Sequence, residues 1–371
     1  MRIRRVVIKD FRKFESLEVD FCDSLERVRD LSLLVGPNTS GKTTFLDAIA
    51  AALSPLTRIR CLRSSLRLTV PGIVRRGALK TRVEIEVQFD AEEIDTACEL
   101  WRLAGHSPLA PLPDGRVTAV WQYPDPMDKV ATGRTHCIPS RADGYFQARS
   151  LVARLLVAGK VDTTWFRRAG AVFTFDQERT GMGKTIRKDI FRILQSGGVS
   201  DEGGDDPEER YTEDPHTILL AMAVESQYPR LGGETDDKFQ AVKESYARVC
   251  APHRIVGPVR TPPLDGLEVW FHDGHGDYPY SAASSGEKML LTYLIRMVSE
   301  HMHRSVLLVD ELELHQHPTW QQKLAHVLPR IGIGNQVLAT THSPYLRDCV
   351  APEAVTSFGD LAPSLQPKGA Q

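Results

Sequence analysis

Paired cysteines are missing from this 371-residue chain. Cys22, Cys61, Cys98, Cys137, Cys250 and Cys349 stand singly and far apart, which excludes a disulfide framework and a thiolate zinc cluster. That usage suits a reducing, cytoplasmic compartment. No apolar run comes near the roughly 18 residues that a membrane-spanning helix needs, so no membrane partner is expected. The opening MRIRRVVIKDFRKF alternates apolar with basic residues, unlike a signal peptide. Internal repeats and sustained heptads are lacking too, which rules out a solenoid and a long coiled coil. A net charge of −2 shows little overall bias, but its distribution is uneven. Arg58 to Arg82 holds eight basic residues and no acid, whereas Asp201 to Asp214 holds eight acids and one arginine. The basic stretch, residues 58–82, is a candidate path for DNA or RNA, or equally a solvated face balanced elsewhere in the fold. The acidic stretch has almost nothing to bury and reads as a mobile surface loop.

Ordered patterns are present at both ends of the chain. Residues 1–21 read as two strands around Asp10–Lys13. LSLLV (31–35) suits a buried strand, and TFLDAIAAAL sets Phe45, Ile49 and Leu53 at helical spacing. Residues 82–89 and 117–123 alternate as half-exposed strands do, and AVFTF (171–175) is strand-like. The Pro- and Gly-rich segments 107–115 and 124–144 look like connections, and from about 184 to 255 the pattern turns helical. SVLLVDE (305–311) and QVLATTHSP (336–344) read as buried strands with polar ends, with helices expected near Ser285 and after Pro318. Strands alternating with helices around apolar runs predict an α/β fold with a mostly parallel sheet covered on both faces.

Two motifs carry chemistry. Gly36-Pro37-Asn38-Thr39-Ser40-Gly41-Lys42-Thr43, followed by Thr44, matches the phosphate-binding pattern GxxxxGK[ST] between an apolar strand and a helix. Its glycines let successive amides turn toward phosphate oxygens, and the helix adds its positive end. Lys42 then supplies charge for the β- and γ-phosphates of ATP, and the Thr43 hydroxyl a ligand for Mg²⁺. GMGKT (181–185) imitates the motif but has Glu178 where the first glycine belongs and no apolar strand leading in, so it is set aside. The second motif is the strand end Asp310-Glu311. One carboxylate there suits Mg²⁺ and the next suits the attacking water as general base.

The opening IRRVVIKDFRKFESLEVDF, the phosphate loop, ASSGEK (283–288), LLVDELELHQHP (307–318) and TTHSP (340–344) occur in an order that resembles ABC-type ATPases of the RecF, SMC and OLD group. The resemblance implies a P-loop NTPase head of two lobes with a short helical insertion. Residues 1–180 would form the lobe with the phosphate loop, 184–280 a mostly helical insertion and 281–371 the second lobe. It further implies a homodimer or higher oligomer with ATP sandwiched between opposed heads. Ser284, Ser285, Gly286 and Glu287 would then be the signature that meets the γ-phosphate of the opposite subunit. Ser285 departs from the glycine of transporters, although serine looks usual in OLD-like ATPases. His342 matches the switch histidine. Gln177 is the candidate glutamine on Mg²⁺, with Gln88 and Gln147 as rivals.

His315-Gln316-His317-Pro318 sits where the family has a subunit-contacting loop, a better match than a metal pair with His301 and His303 nearby. Phe11-Arg12-Lys13-Phe14 resembles the segment that meets adenine or a nucleic-acid backbone, though a plain hairpin explains it nearly as well. The absence of a coiled-coil arm, and the chain end soon after His342, fit a standalone head without a nuclease domain. Such heads are similar to ATPase components of bacterial anti-phage systems, which work with a separately encoded effector such as a nuclease or toxin. A DNA-repair ATPase and a scaffold whose bound ATP holds an effector inactive are the alternatives.

Overall fold

Period-two alternation near the amino end produces an antiparallel sheet. Ile3, Val6, Ile8, Leu17, Val19, Val83, Ile85 and Val87 are buried, while Arg5, Lys9 and Glu18 face solvent. The computed structural model describes residues 1–57, 72–124, 134–175, 215–227, 237–261 and 266–359. The strands of this sheet are β1 (Arg2–Phe11), β2 (Phe14–Asp20), β4 (Thr81–Gln88), β5 (Arg116–Tyr123) and β6 (Arg134–Ile138), in the order β2-β1-β4-β5-β6. Strand β6 lies inside the 124–144 segment expected to be a connection. RTHCI offers only Cys137 and Ile138 as apolar residues, too few for alternation to register.

A second sheet is wholly parallel. It comprises β3 (Leu31–Val35), β7 (Val172–Phe175), β11 (Val306–Val309), β12 (Gln336–Thr341) and β13 (Val355–Ser357), in the order β13-β3-β12-β11-β7. Every residue of β11 and β12 is buried, which explains why these strands read as continuous apolar runs rather than alternating ones. The α/β expectation holds, with parallel and antiparallel pairings sorted into separate sheets.

Helix α1 (Lys42–Thr57) lies between them, against β4, β5 and β6 on one side and β7 and β12 on the other. Helices α2 (Ala91–Leu103) and α3 (Ala148–Val157) pack on each other and complete the core of the first lobe.

Between the lobes come α4 (Pro215–Gln227) and α5 (Lys238–Cys250), then an antiparallel sheet of β8 (Arg254–Thr261), β9 (Gly266–His272) and β10 (Asp277–Pro279). Within the segment expected to be a mostly helical insertion, 254–279 is a sheet. Its signal was hidden by the register shift between Ile255 and Gly257, by Pro258, and by the outward Val256 and Val259. Helix α6 (Ser285–Ser299) and helix α7 (Pro318–Val327) both pack against α5. Among the described residues, no helix is long and apolar enough to cross a membrane. The acidic stretch 201–214, GMGKT (181–185) and residues 58–71 of the basic stretch lie outside the described residues.

Candidate nucleotide site

The loop from Gly36 to Gly41 joins the end of β3 to the start of α1, and it opens on a cleft of about 350 Å³. Asn38, Thr39, Lys42, Thr44, Glu311 and His342 are among its lining residues. Gly41 is required twice over. Its φ of +108° suits glycine alone, and a Cβ there would stand 2.6 Å from Phe14 Cζ in the β1–β2 hairpin. The hairpin thus presses on the loop, and Lys13 Nζ donates to the Thr39 carbonyl. Lys42 is buried and its Nζ donates to the carbonyls of Gly36 (2.9 Å) and Pro37 (3.0 Å). Burial pushes its pKa below the ordinary lysine value, partly opposed by the nearby carboxylates of Asp310, Glu311 and Glu313.

Parallel pairing brings two strand ends to this cleft beside the start of α1. Asp310 follows β11, Thr340 lies near the end of β12, and Thr43 is the second residue of α1. Thr43 Oγ1 donates to Asp310 at 3.0 Å, and Thr340 Oγ1 donates to Asp310 Oδ1 at 2.6 Å. The same Thr340 hydroxyl accepts from the Glu311 N–H at 2.8 Å. Glu311 has φ +51°, a left-handed conformation unusual for a residue with a side chain. Glu313 Oε1 accepts from the His342 N–H at 2.5 Å, tying the turn after β12 to the turn after β11.

The ASSGEK segment starts helix α6 elsewhere. Ser284 is the N-cap, with Glu287 N–H donating to Ser284 Oγ at 3.2 Å and Ser284 N–H to Glu287 Oε2 at 2.8 Å. Ser284 and Ser285 are exposed. Gly286 is buried, and a Cβ there would meet the His315 carbonyl at 2.5 Å, while Gln316 Nε2 donates to its carbonyl at 3.0 Å.

Comparison with known proteins agrees at both ends of the chain. A family model described as "AAA ATPase domain" matches residues 1–180, and one described as "AAA domain, putative AbiEii toxin, Type IV TA system" matches residues 171–348. The Septu protein PtuA of Bacillus thuringiensis is 27% identical over 108 residues, covering 26% of this chain and 27% of that protein. The DNA double-strand break repair Rad50 ATPase of Methanopyrus kandleri is 34% identical over 90 residues, covering 24% of this chain and 10% of that protein. The matches therefore span only about a quarter and a tenth of those relatives' lengths. A solved SMC head bound to the C-winged helix domain of ScpA has a TM-score of 0.51 at 13% identity, over 94% of this chain and 92% of that one. An Smc head with an extended coiled coil, bound to the C-terminal domain of ScpA derived from Pyrococcus furiosus, also gives 0.51, at 15% identity and the same coverage. At such identities the likeness is one of fold. Together these matches support an ABC-like ATPase of the SMC, Rad50 and OLD type.

In this ABC-like head the donors around Thr43 suit Mg²⁺. A hydroxyl and a carboxylate converge, both hard oxygen ligands, and such a cation is ordinarily held by one or two carboxylates together with phosphate and water. Mg²⁺ bound there would neutralise phosphate charge. Thr43 and Asp310 would hold it, and Thr340 fixes the carboxylate that does so.

Other expected residues sit differently. Glu287, expected to touch nucleotide, turns inward: it is buried, Oε2 serves the helix cap, and Oε1 accepts from Tyr246, Tyr278 and His253. Gln88 accepts from Arg4 in the antiparallel sheet, and Gln147 donates to Asp143 beside α3, so both rivals of Gln177 are engaged in the first lobe. Gln177 lies outside the described residues, although β7 ends beside the site, where Asp310 N–H donates to the Phe175 carbonyl at 2.9 Å. The four histidines weighed as a metal set, His301, His303, His315 and His317, have separate settings. His317 caps α7, His303 accepts from the Ile333 N–H, His301 stacks on Phe166, and His315 is exposed. In the described part of the basic stretch, Arg75 pairs with Glu15 and Arg82 with Glu84, which suits the balanced reading for these two.

Two residues escaped the motif reading. Glu313 accepts from the His342 N–H through its carboxylate, and Thr340 meets Asp310 and Glu311 through its hydroxyl. Only the adjacency of Thr340 to His342, and of Glu313 to the acidic pair, pointed toward them.

Proposed function

We propose that this protein is an ATP-hydrolysing switch that dimerises on ATP and governs a separately encoded effector, with a role in nucleic-acid sensing and anti-phage defence. The observation that carries the reading is the joined set Thr43–Asp310–Thr340–Glu311 at the mouth of the phosphate loop. ATP would lie along residues 36–44, with Lys42 on its phosphates and Glu311 as the base for the attacking water. Ser284 and Ser285 are exposed and absent from the cleft's lining, as residues that meet a nucleotide on a second copy would be. The toxin–antitoxin wording of the second matching family favours an effector partner. The Rad50 likeness favours a second reading, a DNA-repair ATPase.

Driving such a switch from 1:99 to 99:1 takes about 5.5 kcal/mol, or roughly half that from each of two shared nucleotides. The γ-phosphate bridging Lys42 and the partner copy's signature segment would supply the difference between ATP and ADP. Glu311→Gln is nearly isosteric and should slow hydrolysis by about 10²–10⁴ while leaving binding intact. The variant should therefore elute as a dimer with ATP·Mg²⁺ and as a monomer with ADP. Identical elution in the two nucleotides, for a variant that binds ATP, overturns the switch and favours an ATP-bound scaffold.

A further inference from the structure

The buried carboxylate of Glu287 has more partners than a helix cap requires. A capping box uses one oxygen, here Oε2. Oε1 accepts from Tyr246 on α5 at 2.9 Å, from Tyr278 on β10, and from His253 Nδ1 in the turn between α5 and β8 at 3.2 Å. His253 also sets its ring edge-on to Trp320 of α7, with centroids 5.6 Å apart. The donors thus come from three separate parts of the insertion and converge on one oxygen atom.

Apolar packing would join the insertion to α6 with less desolvation, since burying a charge is costly even when it is paired. Hydrogen bonds add direction, because they fix where the acceptor points. With Oε1 held by the insertion, Oε2 has one place to be, and the Ser284 N–H bound to it follows. The signature serine is therefore hung from the insertion on one side. On the other, Gln316 holds the Gly286 carbonyl.

We infer that Glu287 is a positioning residue through which the insertion, by way of Tyr246, Tyr278 and His253, sets Ser284 for contact with the ATP of a second copy. The insertion then controls closure without touching nucleotide itself. This inference rests on the ATP-sandwich reading above.

The test removes two hydroxyls. Tyr246→Phe/Tyr278→Phe should bind a fluorescent ATP analogue as a monomer within about twofold of the parent, yet lose about tenfold or more in kcat. In the Glu311→Gln background, the same double change should weaken ATP-dependent dimerisation by about tenfold. Because the fault lies in the signature and not in the phosphate loop, mixing with Lys42→Ala protein should restore turnover in the mixed dimer. A general loss of packing would not be restored this way. Glu287→Gln, which keeps the size of the side chain but places an amide among the donors, should behave likewise. If the Glu311→Gln parent stays monomeric in ATP, the switch and this inference fall together. If the parent dimerises and the folded tyrosine variant matches it, or mixing restores nothing, this inference alone falls.

Discussion

Valine nearly matches threonine in size, so Thr340→Val removes one hydroxyl from the centre of the site with little change of volume. Thr340 is fully buried, and its hydroxyl both donates to Asp310 at 2.6 Å and accepts from the Glu311 N–H at 2.8 Å. A hydrogen bond to a charged group contributes about 1.5–3 kcal/mol, and a stranded N–H costs about 1–3 kcal/mol. The two losses share one atom and do not add in full, so about 2–4 kcal/mol of stability should go. Domains carry about 5–15 kcal/mol, so the variant should fold but unfold at lower urea.

The effect on chemistry should be larger. Glu311 at φ +51° is strained by about 1–3 kcal/mol, and the bond to Thr340 is set against that strain. Released, the backbone relaxes and the carboxylate moves, which takes hydrolysis toward the roughly 10²–10⁴-fold loss expected without a base. Thr340→Ser keeps the hydroxyl and should keep most activity. Phosphate release and urea unfolding, measured on both variants, decide the matter. A Thr340→Val enzyme within about threefold of wild type in kcat refutes the idea that Thr340 holds Glu311. Equal damage from serine and valine would assign the effect to packing instead.

Other perturbations follow from the same geometry. Ser284→Arg should bind ATP but not hydrolyse it, and mixing with Lys42→Ala protein should restore part of the turnover. Failure to recover, with mixed dimers demonstrated, would argue against sites completed between copies. Gly41→Ala, with its Cβ 2.6 Å from Phe14 Cζ and a φ of +108°, should weaken ATP binding by about tenfold or more in a calorimetric titration. Binding equal to wild type would count against a loop braced by the hairpin. Burial alone would raise the pKa of Glu287, but hydrogen bonds from Tyr278, Ser284 and Tyr246 hold it below the ordinary 4.5. As pH falls the unfolded chain takes up this proton first, so the contribution is complete above 4.5 and is lost as pH falls through the folded value. Urea unfolding over about pH 3 to 6 should therefore show a flatter acid limb for Glu287→Gln, and an unchanged limb would contradict the assignment.

The parts of the fold that were legible in sequence are those where one rule acts alone. The β1–β2 hairpin and β4 follow alternation, and β3, β11 and β12 follow continuous burial. The phosphate loop and Asp310-Glu311 were legible because their chemistry depends on neighbours in sequence. The β8–β10 sheet was not, since a bulge, Pro258 and outward valines erase its period. The direction of Glu287 was hidden for a different reason. Its motif position suggested nucleotide, but its direction is set by Tyr246 and Tyr278, 41 and 9 residues away. Thr340 and Glu313 act on partners 29 to 30 residues away in sequence, brought together by the parallel pairing of β11 and β12.

Helix α1 gives the nucleotide site an unusually firm root. Twelve of its sixteen residues are buried, and the small side chains of Ala48, Ala50, Ala51 and Ala52 let the elements around it approach closely. Ligand-binding loops are commonly drawn from the least stable parts of a protein, where local opening is easy. Here the helix that anchors the loop is clasped by two sheets, and neither can release it without baring its own apolar face. The end of the loop at residues 41–44 therefore runs into a helix that touches both sheets at once.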